Sequence, residues 1–199
     1  MCSAGRLERV EVIGLSYTYP ASGRGIQDVS LCLKRGSFTV IAGEHGAGKT
    51  TLLRALLGLL PLEGGEIRWN GRLMADPARA LAPPRVAYLP QAEAGREESV
   101  RAQVACLLDS DAELLLVDDL SAALRAKEER ALWDALFAQR LFLRRGTCLA
   151  VSNRQAALSR ADHILVLHEG RMVGEGRLKE LLEGCPELRR LWARTAWAG

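Results

Sequence analysis

Polar and apolar residues alternate along residues 8–19 and again along residues 27–34. A period of two predicts a pair of strands in an antiparallel sheet, each with one face turned to a core. Residues 20–25, Pro-Ala-Ser-Gly-Arg-Gly, read as the turn between them. Residues 38–42 are apolar except for one threonine, as in a short buried strand. They run into a glycine-rich loop, and the loop runs into a strongly helical segment at residues 51–57. Residues 60–65 break the chain. Residues 66–69 followed by Asn70-Gly71 then read as a strand and a tight turn. Further short apolar strands are expected at 85–89, 113–117, 148–152 and 163–167. Helices are expected between them, one near 97–108 and one at 127–141 whose inner face would carry Leu132, Ala135, Leu136 and Gln139. Strands alternating with helices predict an α/β fold with a mostly parallel central sheet. Ligands of such sheets sit at the carboxyl ends of strands.

The loop after the third strand is Gly43-Glu44-His45-Gly46-Ala47-Gly48-Lys49-Thr50, with Thr51 next. It is a GxxxxGK[ST] string in the required setting of strand, loop and helix. Glycines let the backbone curl so that successive N–H groups face a phosphate, and the helix N-terminus adds partial positive charge. Lys49 would then reach the β- and γ-phosphates, and Thr50 would ligate Mg²⁺. The plainer alternative is a glycine turn that only caps a helix. Leu114-Leu115-Leu116-Val117 ends in Asp118 and Asp119. A buried strand delivering an acid at its carboxyl end is how a P-loop protein holds its metal, although the same string also describes a strand entering a solvated turn.

With 199 residues, one domain is expected, spanning 1–199. A net charge of +3 leaves no nucleic-acid footprint. Lysine occurs only at positions 34, 49, 127 and 179, and the remaining basic residues are arginine. Cys2, Cys32, Cys106, Cys148 and Cys185 are widely spaced, which argues for reduced and mostly buried thiols rather than a metal or redox site. His45 and His168 lack ligand spacing and are expected to face solvent. No apolar run is long enough to span a membrane, so any membrane role is expected to run through a partner.

Taken in order, these motifs resemble the ATP-binding-cassette (ABC) ATPases over nearly the whole chain. Residues 15–20, Leu-Ser-Tyr-Thr-Tyr-Pro, are similar to the family's adenine-stacking segment, with Tyr19 as the ring; by itself Tyr19 would read as a strand-edge aromatic. Tyr88-Leu89-Pro90-Gln91 is similar to the Q-loop, where Gln91 would contact Mg²⁺ and sense the γ-phosphate; by itself Gln91 would be an ordinary loop residue. Asp118 matches the Walker B aspartate. Ser121-Ala122-Ala123-Leu124 resembles the D-loop. Residues 161–167 and 169–176 resemble the closing strand and hairpin, and 178–192 the C-terminal helices of exporter-type cassettes. The resemblance implies ATP and Mg²⁺ as cofactors, with Thr50, Gln91 and Asp118 around the metal. It also implies a membrane permease as partner, a second cassette, and a cytoplasmic location at the inner face of the membrane.

The departures from the family pattern fall on hydrolysis. Only 27 positions separate Gln91 from Asp118. The helical subdomain would therefore shrink to about residues 92–110. The Leu-Ser-Gly-Gly-Gln signature is missing, and residues 94–98, ending in Glu97 and Glu98, stand in its place. Two adjacent acids there would repel a γ-phosphate brought against them by a second copy. Asp119 replaces the usual glutamate, one methylene shorter. Asn153 stands where the family carries a switch histidine, and an amide cannot carry a proton or a positive charge. Arg125 replaces the aspartate that ends the D-loop. Binding and turnover are separable, since a site that holds ground and transition states equally gives affinity without rate. The expectation is a transporter ATP-binding module with weak or absent hydrolysis. The alternatives are a nucleotide-responsive scaffold that drives no transport and an internally deleted relative of a working cassette.

Overall fold

In the computed structural model, residues 6–91, 97–108, 111–121, 124–138 and 146–196 are described. Two sheets organise them. The first is antiparallel, in the order β2-β1-β4-β5, from β1 (Arg9–Thr18), β2 (Gly25–Lys34), β4 (Gly64–Trp69) and β5 (Arg72–Leu73). The alternation at 8–19 and 27–34 is thus a β1–β2 pair, and the strand expected at 66–69 joins the same sheet on β1. The second sheet has the order β10-β9-β3-β8-β7-β6. It contains β3 (Phe38–Gly43), β6 (Val86–Leu89), β7 (Leu114–Val117), β8 (Thr147–Val151), β9 (His163–His168) and β10 (Arg171–Gly176). All its pairings are parallel except β9 with β10.

The apolar run of β3, interrupted by Thr39, has a simple cause: both faces of the sheet are covered. On one face Ile41 packs with Leu116, Leu149 and Leu165 against α1 (Lys49–Leu56), which contributes Leu52, Leu53 and Leu56. The antiparallel sheet closes that core with Val10, Leu15 and Leu33. On the other face Phe38, Val40, Leu115 and Val117 meet α4 (Ala126–Ala138), with α5 (Gln155–Leu158), α6 (Leu178–Gly184) and α7 (Pro186–Ala196). The Phe38 and Trp133 rings stand 5.2 Å apart there. A short α2 (Pro77–Ala80) follows β5 and is capped by the Asp76 side chain on the Arg79 N–H.

Three expectations are corrected. The buried stripe of α4 runs through Glu129, Trp133 and Leu136, whereas Ala135 is exposed. The spacing rule favoured Ala135 because it discounts a charged residue on an inner face. Gln139 lies outside the described residues. Among the described residues Cys32 and Cys106 are exposed and Cys148 and Cys185 are buried, so thiols are not confined to the core. His45 is exposed, but His168 at the end of β9 is half-buried.

Between β6 and β7 the described residues form one helix, α3 (Glu97–Leu108), with Val104 buried and Glu98 exposed. Residues 92–96, which include Ala94, Gly95 and Arg96 of the expected signature segment, and Ala122 and Ala123 of the expected D-loop lie outside the described residues.

Candidate functional site

The parallel strands β3, β8, β7 and β6 end together, and their carboxyl ends deliver the chemistry. Strand β3 delivers the glycine loop, β7 delivers Asp118 and Asp119, β6 delivers Gln91, and β8 delivers Asn153. A cavity of about 310 Å³ opens here, lined by Tyr19, Gly46, Ala47, Gly48, Lys49, Thr50, Thr51, Gln91 and Asp119 among others. A neighbouring polar cavity of about 670 Å³ shares the loop residues His45, Gly46 and Ala47.

The loop holds its shape through backbone contacts. The Gly170 N–H donates to the Ala47 carbonyl at 3.1 Å, and the Gln27 N–H donates to the Gly170 carbonyl at 2.8 Å. Gly170, whose Cβ would stand 2.4 Å from the Gly25 carbonyl oxygen, admits this approach, and Gly48 is packed nearly as closely. Gly48 has a φ of 98°, and a Cβ there would stand 3.0 Å from both the Gly25 carbonyl oxygen and Ile26 Cγ2. It is also the N-cap of α1, with no side-chain cap and no acid in the first turn. The first N–H groups of the helix are therefore left without a side-chain acceptor.

Lys49 is buried, and its ammonium donates to the carbonyls of Gly43 and Glu44 at 2.7 Å each. Burial pulls its pKa below the ordinary value, against the attraction of Asp119, Asp118 and Glu44. Asp118 is fully buried. Its Oδ1 accepts from Thr50 Oγ1 and from the Asp119 N–H, both at 3.0 Å. Desolvation raises its pKa, and those hydrogen bonds oppose the rise. The Tyr88 hydroxyl donates to Asp118 Oδ2 at 3.4 Å. Burial and the neighbouring carboxylate push the Tyr88 phenol up to about 12. Asp119 is engaged locally, its Oδ1 accepting from the Ser121 N–H at 2.9 Å.

Asn153 reaches the start of the loop. Its Oδ1 accepts from the Gly43 N–H at 3.0 Å, and its Nδ2 donates to the Gly43 carbonyl at 2.9 Å. Next to it, Arg154 anchors a buried polar cluster. Its Nε stands 2.6 Å from Glu129 Oε2, an ion pair whose angle does not make a hydrogen bond. Its Nη2 donates to the carbonyls of Ser121 and Leu124 at 3.2 and 3.1 Å. Glu129 Oε1 accepts from Trp133 Nε1 at 3.1 Å and from Ser152 Oγ at 3.0 Å. On the outer side of the loop, Arg194 of α7 stands 3.2 Å from Glu44.

The sequence profile of the ABC transporter family matches residues 26–155, from β2 through the glycine loop and Asp118 to the segment after Asn153. The chain belongs to the ABC transporter family. It is an ATP-binding module of that family. It is 31% identical over 222 residues to the mycobactin import ATP-binding/permease protein IrtB of Mycolicibacterium smegmatis, covering 85% of this chain and 38% of that protein. It is 30% identical over 213 residues to the ABC transporter ecdL of Aspergillus rugulosus, covering 85% of this chain and 14% of that one. The chain thus spans well under half the length of these curated relatives. Among solved structures, it resembles a bacterial Atm1-family ABC exporter with ATP bound, at a TM-score of 0.78 and 20% identity over 98% of this chain and 43% of that one. It also resembles an ATP binding subunit of an ABC transporter, at a TM-score of 0.72 and 20% identity over 94% and 99% of the two chains. These structural likenesses establish an ABC cassette fold with an antiparallel N-terminal sheet.

Tyr19, which follows β1 of the antiparallel sheet, lines the same cavity as Gly46, Ala47, Gly48, Lys49, Thr50, Thr51, Gln91 and Asp119, while Asp118 bonds to Thr50 and Asn153 to Gly43. Sequence reasoning missed Tyr88 as a partner of Asp118, and Arg154, Glu129 and Ser152 as a buried cluster behind Asn153. The signal for Tyr88 was available, since it precedes Gln91 on the strand that pairs with β7. Nothing local marked Glu129, which reads as a solvated residue of a charged helix start.

Proposed function

We propose that this chain binds MgATP at the glycine loop and serves as the nucleotide-binding module of a membrane transporter, with slow or absent hydrolysis. The observation that carries it is the pairing of Thr50 with Asp118 at 3.0 Å beside the desolvated Lys49. Both charges are held partly against their solvation preference. A phosphate anion beside Lys49 and a cation beside Asp118 relieve that opposition.

The residues fit the nucleotide. Tyr19 offers a ring at the rim of the cavity for the adenine. Gly46, Gly48 and the first turn of α1, including Thr51, offer N–H donors to the phosphates in the loop that Gly43 and Ala47 shape, and Lys49 adds a charge-assisted one. Thr50, Asp118 and Gln91 supply hard oxygen ligands suited to Mg²⁺. Among the described residues no group of three or more His, Cys, Asp or Glu is placed to hold a metal by itself, so a cation here depends on phosphate oxygens as further ligands. Once bound, Mg²⁺ supplies neutralisation of phosphate charge.

Support for weak hydrolysis comes from the same geometry. Asp119 is committed to the Ser121 N–H and Asn153 to Gly43, so both positions where the family carries hydrolytic groups are occupied by structural bonds. The partners we infer are a membrane permease and a second, complete cassette, which would place the module at the inner face of a membrane. Among the described residues no helix is long and apolar enough to cross one. Among the described residues one helix, α3, stands between β6 and β7, which favours a second reading, a nucleotide-responsive scaffold that drives no transport.

Calorimetric titration with MgATP, paired with a phosphate-release assay, tests the proposal. Saturable binding is expected, weakened in Lys49→Ala by roughly 1.5–3 kcal/mol through loss of a charge-assisted bond. Release should stay far below about 1 s⁻¹, the low end of ordinary enzyme turnover. No binding at millimolar nucleotide would overturn the site, and turnover at that rate would overturn the hydrolysis assignment. Co-purification with a multi-span membrane protein separates the transporter from the scaffold.

A further inference from the structure

We propose that Asn153 is a positioning residue of the nucleotide cradle, setting ATP affinity by clamping the Gly43 backbone that anchors Lys49; this rests on the ATP-binding reading above. The carboxamide uses its donor and its acceptor on one residue, taking the Gly43 N–H at 3.0 Å and giving to the Gly43 carbonyl at 2.9 Å. That same carbonyl accepts the Lys49 ammonium at 2.7 Å. Three polar atoms therefore converge on the backbone of one residue, on the N–H and the carbonyl either side of its Cα, where β3 turns into the loop.

Gly43 cannot hold itself in place by packing. It has no side chain, and a Cβ built on it would stand 2.4 Å from the Leu167 carbonyl oxygen, so the site admits none. On one side the ladder of β3 is also ending at this point. The parallel pairing with β8 runs from Phe38 to Ile41 and does not include Gly43, whereas the pairing with β9 still holds Gly43 opposite Leu167. The Asn153 side chain extends the β8 pairing by two bonds, where the β8 backbone has already turned away. The clamp fixes the carbonyl on which Lys49 rests, and so fixes the place from which Lys49 meets a phosphate. An imidazole at this position has its two nitrogens on different edges of a ring. It cannot give and take on a single residue in this way.

The chemistry permits a test that a general loss of structure would not imitate. A neutral carboxyl group carries one donor and one acceptor in nearly the arrangement of a carboxamide. Asn153→Asp therefore lacks the donor when ionised and regains it when protonated. Asn153→Ala lacks both groups at any pH. The experiment measures MgATP affinity by calorimetry for the wild type and both variants across pH, with thermal unfolding of the nucleotide-free proteins in parallel. The wild-type profile subtracts the titration of the nucleotide and of the charged groups nearby, Lys49, Glu44, Asp118 and Asp119.

Asn153→Ala is expected to bind roughly tenfold more weakly than wild type, the scale of losing a pair of hydrogen bonds. Asn153→Asp is expected to bind more weakly still at alkaline pH, where its anion faces the Gly43 carbonyl. Relative to wild type it should recover as the pH falls through its carboxyl pKa, until it binds more tightly than Asn153→Ala. Wild-type affinity in Asn153→Ala overturns the clamp. So does an Asp variant no tighter than the Ala variant at acid pH, because the effect would then be charge repulsion alone. If the wild type itself fails to bind MgATP, the ATP-binding reading fails instead, and the two failures are distinct.

Discussion

Removing the Arg154 guanidinium should destabilise the fold by about 3 kcal/mol near neutral pH, the low end of the ~3–5 kcal/mol typical when one partner of a buried ion pair is deleted. The low end applies for two reasons. The Arg154 side chain is 24% exposed, so water replaces part of what it gave. Glu129, at 1% exposure, keeps the Trp133 and Ser152 donors on Oε1. The carbonyls of Ser121 and Leu124 also lose a donor; the exposed Ser121 carbonyl can turn to water, whereas the Leu124 carbonyl is part-buried. The pH dependence follows from Glu129. Burial already raises its folded pKa above the ordinary 4.5, with Arg154 among the groups opposing the rise. Losing Arg154 raises it further. A group whose folded pKa lies above its unfolded value favours the fold below the unfolded pKa, and that contribution is lost as pH rises through the folded pKa. The penalty of Arg154→Ala should therefore be larger at about pH 8 than at about pH 5. Urea unfolding at both values, compared through midpoint and slope, is the assay. Adding Glu129→Gln to Arg154→Ala should recover stability, because the amide keeps an oxygen for Trp133 and Ser152 without a buried charge. A penalty under about 1 kcal/mol would place the pair among exposed salt bridges and refute the reasoning. An equal penalty at both pH values, or no recovery in the double variant, would do the same.

Two other outcomes follow from the site. Gly48→Ala places a Cβ 3.0 Å from the Gly25 carbonyl on a residue at φ 98°, so it should lose on the order of 1–3 kcal/mol of stability and weaken nucleotide binding; thermal melts and calorimetry check both, and an unaffected protein would show that the loop tolerates a wider path. Ultraviolet titration of the three tyrosines should show one ionising near pH 12, absent in Tyr88→Phe, and three ordinary titrations would remove Tyr88 from Asp118.

The strands and the glycine loop were legible because their signals are local. Period-two alternation at β1 and β2, and an apolar run followed by Gly43 to Thr50, each lie within one short window. Asp118 was legible because a buried strand ending in acid is itself a local pattern. What escaped were contacts across the chain. Asn153 and Gly43 are 110 positions apart, and their two bonds form only because β8 pairs with β3 in one register. From the sequence, Asn153 read as a missing histidine. In the structure it is a made contact. Glu129 escaped for a different physical reason. A carboxylate is normally assigned to water, and only the convergence of Trp133, Ser152 and Arg154 makes its burial tolerable. Ala135 was misplaced by the same bias, since excluding Glu129 from the inner face rotated the expected stripe of α4.

The contact between Arg194 and Glu44 joins exposed side chains, at 69% and 47%, and such pairs add little to stability. Its consequence lies in the field at the mouth of the site. The loop carries a negative charge at its second position, beside the place where a polyanion would enter. Alone, that charge is a monopole whose repulsion extends over roughly one Debye length, about 8 Å at physiological salt. With Arg194 3.2 Å away it becomes one end of a short dipole, and the repulsion dies off much sooner. In a chain shortened before position 194, the unpaired Glu44 charge would shift the salt dependence of anion capture toward faster capture at higher salt than in the intact chain.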